Sequence, residues 1–416
     1  MKRLFRIGFG TLLYSIIPIL SWIVLGLIMH DERIENVFSI TYAIQWVFMV
    51  IVSLFATGAN IRKEKEKDEN AVWNSIFWGT IFAIVIFSIP LVFVDEYISF
   101  FGQNVQFYRP YVLYGIGLIF IQTLFSLVLE KLYFEDRNKL ANIHLISFNL
   151  TTFCVLVLSA LIFKNVIAAF ITTLSVLLIY IIVLYIIEFK KFKIKFDFFK
   201  NFKYESANIF SYLFMLVIYL FGLKNAFSAG EEYVLALSIA GLCTDPFWDG
   251  LNAISIVAKV DIAKGRYNYK KEIKNAYFFA GVVTLCSSVM TISLSLLNHA
   301  SLSIVLIYLA FNLFDMALHP FKSIIYAFTQ IEYSPTLNTI FDVSFKVIRA
   351  ILSIFILSPY CNEIGQVAQA ILFFITFITL RFVKYKVVDG KILVKQKKLK
   401  RLEENREEAN KNLDNC

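Results

Sequence analysis

The chain has 416 residues; 58% are hydrophobic and 17% charged, against about 25% charged in a typical soluble protein, and the net charge is +9. A soluble fold of this length has room for a core but not for this much apolar surface, 43 phenylalanines included, so the class is a polytopic membrane protein. The basic residues sit in loops between apolar runs, where they set topology and meet anionic headgroups; no stacking-plus-basic motif outside those runs points to nucleic acid.

A bilayer core of about 30 Å needs about 20 apolar residues in a helix. Twelve runs meet this: 7–29, 36–58, 71–94, 108–130, 141–163, 165–188, 204–223, 232–258, 274–297, 301–329, 335–358 and 363–384. The first is basic and then apolar. No small-residue cleavage site follows it, so it reads as a first helix and not a signal peptide. Runs 141–163 and 165–188 meet at Lys164-Asn165, a very tight turn. With the N-terminus placed in the cytoplasm, one side collects Lys2, Arg3 and Arg6, the basic residues of 62–67, 131–139, 190–203 and 259–274. The other side holds Arg33, Arg109, Lys164 and Lys224. This positive-inside bias predicts a multi-pass protein of the cell membrane with both termini cytoplasmic.

Residues 189–203 alternate Lys and Phe and read as a basic amphipathic surface helix joining two halves. The expected organisation is an N-terminal lobe (1–188), this linker (189–203), a C-terminal lobe (204–384) and a charged cytoplasmic tail (385–416), of which VKQKKLKRLEENREEANKNLDNC (394–416) reads as a solvated, frayed helix. Six runs on each side give both halves one orientation, which makes a parallel repeat. ATGANI (56–61) and then AVWNSIFWG answer to WDGLNAI (248–254) and then NAYFFAG. YFEDRNKLANIHLISFN (133–149) sits where AFTQIEYSPTLNTIFDVSF (327–345) sits in the second half. The predicted fold is all-α: twelve transmembrane helices in two six-helix lobes related by a pseudo-two-fold axis along the membrane normal. Paired lobes with a cleft are the architecture of a transporter working by alternating access.

The five cysteines are scattered, with neither a disulfide nor a metal spacing, and no cofactor is expected beyond a bound proton or Na+. Charges inside the apolar runs are costly and mark function or pairing. Asp245 and Asp249 stand four apart on one helical face, with Pro246 between them. Two ionised acids repel there, and Pro246 frees a carbonyl and kinks the helix, which suits a cation or proton site. The competing reading is a plain kink with each acid paired to a base elsewhere. Asp315, His319 and Lys322 share a spacing with Asp342, Lys346 and Arg349: acid, base four later, base three after that. They read either as self-contained salt bridges or as polar stripes facing the lobe interior. Glu130 and Lys131 read as an interfacial pair, and His144 as a hydrogen-bonded core residue.

ALSIAGLCTDPFWDGLNAISIVAKVDIAKGRYN (236–268), IPIL (17–20) and YAFTQIEYSPTLNTIFD (326–342) carry a resemblance. They are similar, in that order, to the eighth helix, the proline-bearing first helix, and the loop between the tenth and eleventh helices of the multidrug and toxic compound extrusion (MATE) transporters. These belong to a superfamily that also contains lipid-linked oligosaccharide flippases. The resemblance covers nearly the whole chain in layout and implies two six-helix lobes and antiport. It departs at the family's N-lobe cation site. Residues 7–29 contain no acid, and although Asn149 fits the helix-5 asparagine, Phe153 stands at its acid partner's place. Asp315 sits where the family often has a helix-10 acid. The resemblance thus implies a lost N-lobe site and a retained C-lobe acid. The expected function is secondary-active export of a small amphipathic or cationic solute by a monomer, driven by a proton or sodium gradient, with Asp245, Asp249 and Asp315 as coupling residues. The alternative is a flippase for a lipid-linked sugar or polysaccharide unit leaning on Lys322, Lys346 and Arg349. A membrane enzyme would want a sizeable hydrophilic loop with acids and a metal motif, and the sequence offers none.

Overall fold

The computed structural model describes residues 2–29, 33–135, 137–263, 267–329, 335–383, 385–388 and 391–394. The first half builds α1 (Lys2–Met29), α2 (Arg33–Val52), α3 (Gly58–Glu66), α4 (Ala71–Val92), the short α5 (Val94–Phe100), α6 (Val105–Phe134), α7 (Asn138–Phe163) and α8 (Val166–Glu188). The second half builds α9 (Phe202–Ala229), α10 (Glu231–Ala263), α11 (Tyr269–Leu297), α12 (Leu302–Phe328), α13 (Pro335–Phe355) and α14 (Cys361–Val383). A π-helical turn, Ser53–Thr57, joins α2 to α3 without breaking the rod, so 33–66 is one span. With α5 set aside, the described residues form twelve long helical rods, six in each lobe, and each expected run falls on one of them.

Among the described residues, nine segments are long and apolar enough to cross a membrane on length and composition alone. α10 and α13 are not among them, because both carry the interior charges, and α1 contributes only the shorter apolar segment Leu20–Met29. Outward residues such as Ile171, Ile179 and Ile186 of α8 are exposed, as a lipid-facing surface requires.

Helix contacts repeat across the two lobes. α1 packs on α7 as α9 packs on α13, α2 on α6 as α10 on α12, α6 on α8 as α12 on α14, and α7 on α8 as α13 on α14. Between lobes, α1 packs on α10 while α2 packs on α9. That exchange is what a two-fold relating α1 to α9 and α2 to α10 produces. One buried apolar cluster fills the N-lobe around Phe55, Phe87, Phe125 and Phe148. A second fills the C-lobe around Phe279, Phe328 and Phe377 and takes in Leu4, so the start of α1 leans onto the C-lobe. Gly8 permits that lean: a Cβ there would run into the Phe279 ring and lie 3.1 Å from Gly250 O.

At Lys164-Asn165 the tight turn forms. Lys164 is left-handed (φ 48°), and Asn165 caps α8 by accepting from Ala168 N at 3.1 Å.

One expectation is corrected. The linker is not a helix: 189–197 is irregular, Phe198–Asn201 is one 3-10 turn, and α9 starts at Phe202. The Lys/Phe alternation has period two, which an extended strap satisfies and a helix does not. Two asparagines of the α4 end capture its backbone. Lys193 N donates to Asn70 Oδ1 (2.6 Å) and Asn70 Nδ2 to Lys193 O (2.8 Å); Lys195 N donates to Asn74 Oδ1 (2.8 Å) and Asn74 Nδ2 to Lys195 O (2.9 Å). After α14, Tyr385–Val388 and Lys391–Val394 pair as antiparallel strands β1 and β2. Residues 395–416 of the expected tail lie outside the described residues.

Candidate functional site

Inside the C-lobe, α9, α10, α12 and α14 enclose a cavity of about 60 Å³, room for a few water molecules, lined among others by Tyr219, Asp245, Asn312, Asn362, Glu363 and Gln366. Its polar groups are linked in series. Gln366 Nε2 donates to Asn312 Oδ1 (3.3 Å) and to Asp315 Oδ2 (3.2 Å), and Asp315 Oδ1 accepts from Lys322 Nζ (3.3 Å). Lys322 also lies over the Phe373 ring, 5.3 Å from its centroid. On the far wall Glu363 is 3% exposed; its Oε1 accepts from Asn362 Nδ2 (3.1 Å), and its Oε2 has no hydrogen-bond partner. The buried Arg349 of α13 donates through Nη2 to Asn362 Oδ1 (2.7 Å) and through Nη1 to Gln369 Oε1 (3.3 Å), while its Nε has no partner. Gly365 seats this guanidinium stem: a Cβ there would lie 2.9 Å from Arg349 Cγ.

The two sequence triplets do not stay together as spaced. Asp342 and Lys346 form the expected i,i+4 pair (2.8 Å), joined by Ser211 of α9, which donates to Asp342 Oδ2 (3.1 Å) and accepts from Lys346. Arg349 is corrected away from this pair, being drawn to α14 by two amide oxygens. In the other triplet Asp315 skips His319 and pairs with Lys322, seven residues on. His319 Nε2 instead meets Ser323 Oγ (2.8 Å), and its ring stands edge-on to Trp248 (5.1 Å). Of the opening pair, Asp245 is half-buried and lines the cavity, whereas Asp249 is exposed and is not among its lining residues. Pro246 lies inside α10, and beside the carbonyl it frees, Cys243 O accepts from Ser287 Oγ of α11 (3.0 Å). Asn149 is buried in α7 of the N-lobe, away from this cavity. Glu130 and Lys131 do not pair: Lys131 Nζ takes Glu188 (3.1 Å) and Glu135 (3.0 Å), and Arg137 grips Glu188 with both nitrogens. His144 Nδ1 meets Tyr180 OH at 2.9 Å, as a core histidine should.

Sequence reading missed Glu363. Near the start of a run, an acid resembles an ordinary first-turn helix residue. The available signal was a polar stripe of Asn362, Glu363, Gln366 and Gln369 at three- and four-residue spacing inside an apolar run.

Where the lobes meet, Trp46 of α2 stacks on Tyr219 (5.6 Å) and lies against Tyr212 of α9 (6.1 Å). Ser53 of the π turn donates to Glu205 of α9 at 2.7 Å.

No family pattern matches this chain, and no curated protein matches it. Solved structures do. A MOP superfamily transporter from Pyrococcus furiosus, described as having a binding pocket of reverse polarity that suggests a different function, is 16% identical with a TM-score of 0.62, over 91% of this chain and 95% of that one. A MATE family multidrug resistance transporter of the same superfamily in an inward-facing conformation is 14% identical (TM-score 0.59; 91% and 94% covered). One in an outward-facing conformation is 15% identical (TM-score 0.58; 92% and 95% covered). The chain has the fold of the MATE transporters of the MOP superfamily.

Proposed function

We propose that this chain is a secondary-active exporter of amphipathic or cationic solutes, in which two lobes rock about a central cleft while protons or sodium ions enter the C-lobe. The observation that carries the reading is an acid-lined cavity inside one of two pseudo-symmetric lobes that meet chiefly along α1, α2, α9 and α10. Structures of this fold in inward- and outward-facing conformations support the alternation. Of the three sequence candidates, Asp245 lines the cavity, Asp315 pairs with Lys322, and Asp249 is exposed, which supports Asp245 as the coupling residue. The flippase alternative needs bases available to a lipid phosphate. Lys322, Lys346 and Arg349 are each held by partners within the lobe, which favours the cationic solute. The chain works as a monomer in the cell membrane with both termini cytoplasmic, its lysine-rich loops facing anionic lipids. Accumulation of a cationic dye in inverted vesicles should follow an imposed proton or sodium gradient. Accumulation indifferent to both gradients, in vesicles that do translocate a lipid-linked sugar, overturns the exporter in favour of the flippase.

A further inference from the structure

We propose that the strap between the lobes, 189–203, is a docking site for one anionic phospholipid. Its lysines hold the phosphate of the headgroup and its apolar side chains lie along the acyl chains. Such a site is narrower than the general attraction of basic loops to a charged bilayer, and it needs only that the chain spans a membrane, whatever the chain carries.

The hydrogen bonds of the strap fix which way its side chains point. Lys193 and Lys195 each turn both backbone N–H and C=O toward α4, onto Asn70 and Asn74. Two residues that do this with one between them belong to an extended chain, whose side chains point to opposite faces in turn. One face therefore carries Lys191, Lys193 and Lys195, and the other Phe192, Ile194 and Phe196. Trp78 Nε1 also donates to Lys195 O (2.8 Å). From Asn70 to Trp78 is two turns of α4, about 12 Å, so the strap runs down the flank of that helix and not across its end. None of these bonds uses a lysine side chain, so the platform is built before any ligand arrives.

The apolar face continues the lipid-facing side of α4. Phe192 packs on Phe77 (5.8 Å) and Phe196 stands edge-on to Trp78 (5.1 Å), yet Ile194 and Phe196 remain 63% and 67% exposed. Further along α4, Ile81, Phe82 and Val85 are exposed as well. A tryptophan and exposed rings beside lysines mark the level at which headgroups give way to acyl chains. The basic face is left without an answering charge. Lys191, Lys193, Lys195, Lys200 and Lys203 are exposed, and none makes an ion pair with another described residue. The acids of this surface are already taken: Arg62 holds Asp68 and Asp197, while Glu135 and Glu188 are held by Lys131, Arg137 and Lys190. In an extended chain Lys193 and Lys195 stand about 7 Å apart, and two four-carbon stems close on one phosphate across that distance. A phosphate carried on acyl chains meets both faces of the strap. A soluble phosphate or an acidic peptide meets only one. The lysines at the start of α11 differ, because Glu272 stands among Lys270, Lys271 and Lys274.

The test uses the purified full-length chain in detergent, with native mass spectrometry counting the lipids retained from graded mixtures of phosphatidylglycerol and phosphatidylcholine. One phosphatidylglycerol should be retained in preference to phosphatidylcholine. Lys193→Gln with Lys195→Gln should weaken its apparent affinity at least about fivefold, the effect of one lysine beside an anionic surface. Lys193→Arg with Lys195→Arg should keep it, which shows that charge and not misfolding is read. Ile194→Ser with Phe196→Ser should weaken it too, whereas Lys270→Gln with Lys271→Gln should leave it unchanged. Glycerol 3-phosphate and inorganic phosphate, which lack acyl chains, should not displace the lipid. Equal retention of the two lipids overturns the site. So does a loss in the Lys270→Gln, Lys271→Gln variant as large as in the strap variant, which would mean general attraction, and so does displacement by phosphate alone, which would mean a soluble anion. Gradient-driven dye accumulation by a chain without this lipid preference leaves the exporter standing and removes the site. Strap-dependent lipid retention in a chain that exports nothing does the reverse.

Discussion

Lys346 shows what a buried charge demands of its neighbours. Its ammonium is shared by Asp342 and Ser211 and is mostly covered, so removing the acid alone leaves a cation with only a hydroxyl. Breaking one partner of a covered pair costs more than removing both, because the survivor keeps its desolvation penalty. Asp342→Asn should therefore lower the thermal unfolding temperature in detergent more than Asp342→Asn combined with Lys346→Gln. The coupling energy across the cycle should be on the order of 1 kcal/mol. Strictly additive losses would show that the two groups do not sense each other.

The strap between the lobes is the element whose local chemistry decides its form. Its backbone is satisfied by side chains: Asn70 and Asn74 each make a two-way amide pair with it, and Trp78 Nε1 adds a bond to Lys195 O at 2.8 Å. At its end Asp197 is tied to the buried Arg62 (2.5 Å), which also holds Asp68 (2.6 Å) and Glu66 (3.3 Å). Partial burial pushes the Asp197 carboxyl up, but the Arg62 guanidinium outweighs it and holds the group below its ordinary value of 3.8. A lowered folded pKa means that the staple's contribution is fully present above pH 3.8 and is lost as pH falls through the still lower folded value. Amide exchange, corrected for intrinsic rate, should show Lys193 and Lys195 protected from neutral pH down to that range and unprotected below it. Asn74→Ala should strip protection from Lys195 and spare Lys193, a loss of about 1 kcal/mol for each bond removed. Equal loss at both positions would mean that the strap is released as one unit and not residue by residue.

For the whole molecule, the lobes face each other mainly at α1–α10 and α2–α9, with Trp46 against Tyr212 and Tyr219 and Ser53 against Glu205. The π turn at Ser53–Thr57 falls within this surface, and such turns give a helix a local point of adjustment. Twelve spans return the chain to its starting side. Cysteines introduced at Asn104 and Asn268 lie in the loops before α6 and before α11, on opposite faces. An impermeant maleimide should label the first in intact cells and the second only after permeabilisation. The reverse pattern would invert the molecule and place its lysine-rich loops outside.

Much of this protein was fixed by the order of its residues. Twelve apolar runs of bilayer length leave the chain few choices, since in lipid every backbone group must be bonded within its own helix. The span count, the tight turn at Lys164-Asn165 and the repeat of ATGANI by WDGLNAI therefore follow from sequence alone. In-helix pairing was legible where the partner lies one turn away, as for Asp342 and Lys346. Partners that come from another helix were not. Arg349 leaves Asp342 for Asn362 and Gln369, and Lys131 leaves Glu130 for Glu188. Lys193 and Lys195 give up a helix for Asn70 and Asn74, more than a hundred residues earlier. Glu363 became visible only when α10, α12 and α14 closed around it, because the burial of a carboxylate and the absence of a partner for its second oxygen belong to the packed lobe and not to any run of residues.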